Sequence, residues 1–269
     1  MSKAARECAR RSGVAIAGMA LAIAWLVMTV APSASADITV GGGCTIVEPH
    51  PTPARFTTCQ GADLRFPPGG GVTNLSNFNL AGASLFGANL GSMSMRGTNL
   101  TRADLVGAQM VRTDLSAGSF GSAALTDANL TNAVLTDANL ANAVLADANL
   151  HLANLTRAKL HLADLTGADL TDAGLTDADL TDANLHRANL TGADLTGANL
   201  TGATLAGANL GAANLTRATL VNADMRGANL TFANLDGANL TGANLAGADL
   251  RGANRAGVIG ADFTGARLF

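Results

Sequence analysis

Three residue types in this chain have side chains that could carry chemistry. Four histidines, His50, His151, His161 and His186, could act as general bases or metal ligands, but only if two or more converge. Cys44 and Cys59 could form a disulfide, a thiol nucleophile or a ligand pair. Asp164, Asp169, Asp172, Asp177, Asp179, Asp182 and Asp194 crowd one part of the sequence, with Arg187 the only basic side chain close by. Such a group suits loose cation binding or a surface that imitates a phosphate backbone. Which of these side chains meet depends on the elements that hold them.

Those elements are written in fives. From Leu75 to Leu250 every fifth residue is Leu, except for Met95, Met110, Phe120 and Met225, all apolar. Two places earlier the residue is Ala without interruption from Ala123 to Ala253. A helix needs a period near 3.6 to keep one apolar face, so Leu every fifth residue would be smeared around its axis. Strict strand alternation also fails, because the apolar spacing runs two, three, two. That rhythm predicts a short extended step with Ala and Leu on one side, followed by a corner. The second residue after Leu is often Gly, as at Gly82, Gly167, Gly197 and Gly242, which suits the positive φ of a type II turn. Arg157, Leu162 and Phe232 in that slot imply another turn type.

Four right-angle steps close a square coil of about 20 residues, and coils stack as parallel strands about 4.8 Å apart. The expected architecture is all-β: a right-handed, four-sided parallel β-helix of about nine coils, by analogy with right-handed crossovers. Leu125, Leu130, Leu135, Leu140, Leu165 and Leu170 form its core stack. Leu170→Ala is expected to cost about 2–5 kcal/mol, and the outward Thr171→Ala to be near neutral. The sequence closely resembles the pentapeptide-repeat family, with its A(D/N)LXX pattern, over about two thirds of the chain. The resemblance implies the right-handed quadrilateral β-helix of that family, with Leu and the preceding Ala inward. It implies no single function, since members include exported proteins of unknown role and DNA-mimic proteins that bind DNA gyrase.

Residues 1–36 read as an export signal. Lys3, Arg6, Arg10 and Arg11 are followed by an apolar run from Val14 to Ala31 and an Ala34-Ser35-Ala36 cleavage site before Asp37. Retention as an anchor is the alternative to cleavage, and the general secretory route is favoured over the twin-arginine route. The whole chain carries −3; the first 36 residues carry a net +3, four basic residues against Glu7, leaving −6. A mildly acidic chain without a basic face does not suit direct nucleic-acid binding.

Residues 37–72 hold five of the six prolines and a Gly69-Gly70-Gly71 run, and are expected to cap the first coil. A Cys44–Cys59 disulfide would pin that cap; free thiols or metal ligands are the alternatives. The coil is expected over 73–254, looser from 73 to 120 where Phe78, Met93, Thr98, Thr113 and Gly118 replace Ala. Arg255 falls on a Leu slot, so the winding is expected to break there, leaving 255–269 as an irregular C-terminal cap. The pattern resumes out of step at Val258, Phe263 and Leu268.

At 20 residues per coil, the three histidines of the repeat fall on three different sides and form no cluster. Thr136, Thr156, Thr176, Thr196 and Thr216 form a column, read as Thr on an exposed strand position rather than an ice-binding ladder. The aspartates form a band around the coil, read as a solvated girdle with a possible interaction role. A filled core leaves no ligand cavity. The expectation is an exported, non-enzymatic scaffold without cofactor or metal, with an unknown protein partner and no membrane span after cleavage. It would be a monomer or an end-to-end homodimer. The alternative is a DNA mimic acting on DNA gyrase.

Overall fold

In the computed structural model the described residues are 38–40, 44–46 and 74–269. β1 (Ile38–Val40) and β2 (Cys44–Ile46) form a short antiparallel hairpin pairing Ile38 with Ile46, Thr39 with Thr45 and Val40 with Cys44. The expected signal segment, the Cys44–Cys59 disulfide and the seating of a cap on the first coil lie outside the described residues.

From residue 74 the chain winds with a repeat of 20. The residue before each Leu pairs in parallel with its equivalent 20 residues on, from Asn74↔Ser94 without a break to Asn239↔Ile259, giving about nine turns. Each pairing is an isolated bridge between successive turns, because a corner follows every Leu. The first side of the coil holds the Leu75 column, the second the Leu80 column, the third the Leu85 column and the fourth the Leu90 column.

One pentapeptide shows what fixes this geometry. Asp164 N–H donates to Ala143 O in the turn below at 2.9 Å, and Leu165 N–H to Asn184 O above at 2.7 Å. Gly167 N–H reaches His186 O above at 3.0 Å, and Ala168 N–H closes the corner onto Leu165 O at 3.0 Å. The fifth donor, Thr166 N–H, is taken by the Asp164 side chain at 3.1 Å. Every backbone donor of the unit is therefore satisfied, as a densely packed chain requires. This explains the Asp or Asn before Leu: its carboxylate or amide oxygen supplies the acceptor that no neighbouring carbonyl can.

The interior is a continuous column of apolar side chains. Leu125, Leu130, Leu135, Leu140, Leu165 and Leu170 have no exposed surface, and neither do most of the Ala residues two places earlier. Residues 74–120 wind as regularly as the rest, contrary to the looseness expected from the substitutions in 73–120. Thr98 and Thr113 are buried in Ala slots because each hydroxyl donates to the carbonyl of a Leu in the turn below, Leu75 and Leu90, both at 2.8 Å. Phe120 fits a Leu slot because Gly118 stands in the neighbouring Ala slot: a methyl there would lie 2.8 Å from the Phe120 ring.

Arg157, Leu162 and Phe232 turn their corners at positive φ, 55, 56 and 59°, although none is glycine, and so does Leu152 at 57°. The corner is imposed by the stacking bonds on either side of it, which outweigh the strain of a bulky side chain at positive φ, about 1–3 kcal/mol. Leu152→Gly is accordingly expected to stabilise the protein by about 1 kcal/mol, read as an upward shift in the thermal unfolding midpoint.

The winding also runs past Arg255. Asn234↔Asn254 and Asn239↔Ile259 keep the repeat of 20, and the register changes only after Gly260, so that Asp249 pairs with Arg267, 18 residues on. Arg255 does not point into the apolar column as a buried charge: it is only partly buried, and its guanidinium sits over the Phe263 ring, 5.7 Å from the centroid. Val258, Phe263 and Leu268 are partly buried against the core beneath, closing the C-terminal end. Val258 occupies an Ala-type slot rather than a Leu slot, since its N–H closes a corner onto Arg255 O.

Candidate interaction surface

The outward side chains form ladders. In most units where Asn or Asp precedes Leu and Thr follows it, the Thr hydroxyl donates to the same Asn or Asp oxygen that accepts its N–H. For Asp194 and Thr196 the O–H bond is 2.6 Å and the N–H bond 3.1 Å. The Asn of the next turn then donates back to both: Asn214 Nδ2 lies 2.8 Å from Thr196 Oγ1 and 3.2 Å from Asp194 Oδ1. The same exchange links Asp164, Thr166 and Asn184 on the third side and Asp169, Thr171 and Asn189 on the fourth.

The seven aspartates singled out from the sequence divide into two groups. Asp164, Asp169, Asp179 and Asp194 precede Leu, and each accepts the N–H and O–H of the Thr two residues on. Asp172, Asp177 and Asp182 stand at corners with φ of 54–55° and project outward. Together they occupy all four sides of the coil. They form a girdle rather than a converging cage, and among the described residues no three His, Cys, Asp or Glu come close enough to hold a metal ion.

Three acidic residues of this ladder type have carboxyl groups held below the ordinary carboxylate range. Burial pushes Asp194 upward, but hydrogen bonds from the Thr196 side chain and backbone, Thr176 and Asn214 together outweigh it. Asp224 is lowered chiefly by Arg226, and Asp249 chiefly by Arg251. A lowered folded value means that each contributes stability above the ordinary carboxylate value of 3.8, which is lost as pH falls through the folded value. Asp194→Asn is therefore expected to flatten the fall of the melting temperature with acidification below about pH 4, and to leave its slope near neutrality unchanged.

His151 and His161 sit on opposite sides, and each donates from Nδ1 to a carbonyl of the next turn, Thr171 O and Thr181 O, both at 3.0 Å. His186 lies on the third side, and the three do not meet. The Thr column on the first side is engaged as well: Thr156, Thr196 and Thr216 donate to Asn154, Asp194 and Asn214, and Thr176 to Asp194. Four of its five hydroxyls thus serve the coil's own ladder. At the corners, Arg157 makes a two-pronged ion pair with Asp137 at 2.8 Å on each prong, holding that exposed carboxyl below its usual range.

A four-sided stack of five-residue units with a filled core and ladders outside defines a pentapeptide-repeat solenoid. The family model for pentapeptide repeats matches eight copies, over residues 79–116, 123–161, 158–197, 193–231 and 228–268. The chain belongs to the pentapeptide repeat family. Among solved structures it is similar to HetL, a pentapeptide repeat protein involved in heterocyst differentiation regulation from the cyanobacterium Nostoc sp. strain PCC 7120. That similarity is 35% identity over 78% of this chain and 88% of that one, with a TM-score of 0.33. It is also similar to alr5209, a pentapeptide repeat protein from Nostoc PCC 7120, at 42% identity over 38% of this chain and 84% of that one, TM-score 0.35. QnrB1, a plasmid-mediated fluoroquinolone resistance protein, is 16% identical over 79% of this chain and 89% of that one, TM-score 0.41. No curated protein matches the sequence.

Proposed function

We propose that this protein is an exported, non-enzymatic, right-handed quadrilateral β-helix that serves as a rigid scaffold for protein partners. The observation that carries this reading is the use of its side chains. The inward ones fill a column with no exposed surface, and the polar outward ones on the faces largely bond to one another along the stack. What remains for function is a stiff rod with four regular sides. Chemistry-bearing residues are dispersed over those sides, so the rod acts by presenting a surface, without catalysis, cofactor or direct nucleic-acid contact. Among the described residues no helix is long and apolar enough to cross a membrane; the export reading rests on residues 1–36 alone.

Cell fractionation with N-terminal sequencing tests the location. Recovery outside the cytoplasm of a processed chain beginning at Asp37 is expected; an unprocessed cytoplasmic chain would overturn export. Capture of a partner from envelope extract by the immobilised protein tests the scaffold role, and failure to retain any partner would count against it. The second reading, a DNA mimic acting on DNA gyrase, is favoured by the presence of Asp on all four sides. It predicts inhibition of gyrase supercoiling by the purified protein. The partly buried Val258, Phe263 and Leu268 at the C-terminal end make an end-to-end homodimer the alternative to a monomer, and sedimentation distinguishes them.

A further inference from the structure

The four sides are unequal over the first five turns, residues 74–173. The first carries Arg96 and Arg157, the second Arg102 and Lys159, and the fourth Arg112. The third side carries no Arg or Lys in this stretch, although Arg102 stands at the corner leading into it. It carries four acidic residues instead, Asp104, Asp127, Asp147 and Asp164, and among the described residues none of them is in an ion pair. The same side also carries exposed apolar side chains. Phe86 is 52% and Val144 39% exposed, and Leu162, 50% exposed, stands at the corner leading in.

Asp127 and Asp147 occupy the same corner in successive turns, held in register by the Ala124↔Val144 bridge. In every other column of the described coil an Asp is separated from the next by a neutral or basic residue, as in Asp137, Arg157, Asp177 and in Asp169 followed by Asn189. Like charges directly stacked are destabilising. The one place where the sequence accepts that repulsion is beside the side with the fewest cations and with exposed aromatic and aliphatic groups. Apolar groups flanked by uncompensated carboxylates complement a surface of the same plan and opposite sign.

On the scaffold reading above, we propose that the third side, from Phe86 to Asp164, is the docking face for a protein partner that presents apolar side chains flanked by Lys or Arg. Four steps between turns make it ~19 Å long, which a helix of about 13 residues spans.

The test uses the full chain and three labelled synthetic peptides of that length: a helical Leu/Lys peptide, a Leu/Glu counterpart and oligolysine. Fluorescence anisotropy is expected to show binding of the Leu/Lys peptide only. The pair Asp127→Asn with Asp147→Asn, and the pair Phe86→Ser with Val144→Ser, should each weaken it about fivefold to tenfold. Asp172→Asn with Asp182→Asn, on other sides, should leave it unchanged. No binding, equal weakening by the control pair, or oligolysine binding as tightly as the Leu/Lys peptide would overturn the proposal. Asp127→Asn alone should also raise the melting temperature, because it relieves the stacked repulsion; a lower one would contradict the argument. If the Asp127/Asp147 variant still captures the partner from envelope extract, the docking face is wrong and the scaffold reading stands. If the unmodified protein captures nothing, the scaffold reading itself fails.

Discussion

Leu170→Ala destabilises the protein by about 2–5 kcal/mol, measured by chemical denaturation. Leu170 has no exposed surface and stands between Leu150 and Leu190 in a column that no other side chain can refill. Its N–H is committed to Asn189 O above at 2.7 Å and its carbonyl to the Ala173 N–H at the corner, so the backbone cannot collapse into the cavity. The neighbouring Thr171→Ala gives the scale for comparison. Sequence periodicity alone predicts a neutral change, because Thr171 points outward. The structure gives its hydroxyl a 2.5 Å bond to Asp169 and a 2.8 Å bond from Asn189, so a loss of about 1 kcal/mol is expected instead. Equal losses at the two positions would refute the assignment of Leu to the interior and Thr to the face.

Gly118→Ala is expected to cost about 1–3 kcal/mol by overpacking, although Ala is the standard residue of that slot elsewhere in the repeat. The added methyl would lie 2.8 Å from the Phe120 ring and 2.9 Å from Leu115 O. Phe120→Leu alone leaves the opposite defect, a cavity where the ring was. The double variant restores the ordinary Ala-x-Leu unit and should be close to the original stability, so the two changes are strongly coupled. Additive losses in the double-mutant cycle would show that Gly118 and Phe120 do not share one space.

The repeat of five, the inward Leu and Ala and the corner after each Leu were legible because each is a property of one pentapeptide. The features that were not legible belong to the stack. Leu152, Leu162 and Phe232 look unsuited to positive φ, yet the turns above and below impose it through backbone bonds that do not depend on side-chain type. Arg255 looks like a stop, yet the repeat of 20 continues past it to Ile259, because its side chain leaves the column and lies over Phe263 instead. The Asp or Asn before Leu reads as a mere outward residue until the accounting of donors shows that the Thr N–H has no other acceptor. The aspartates, read as one group, divide by position into ladder members and corner residues. The third side emerges only when positions 20 apart are laid over one another. One signal in the sequence could have revealed it: Asp127 and Asp147, the only two Asp in successive turns of one column among the described residues.

Everything described depends on residues 20 apart being neighbours. The most direct test is the formation of engineered disulfides. Thr156→Cys with Thr176→Cys places two sulfurs on the first side one turn apart, at a Cα separation of about 4.8 Å, inside the range a disulfide accepts. Thr156→Cys with Thr166→Cys places them half as far apart in sequence, on opposite sides of the shaft. Mild oxidation followed by mass mapping should find the 156–176 link formed readily and the 156–166 link absent. Ready linkage of 156 to 166, with none between 156 and 176, would contradict the coil.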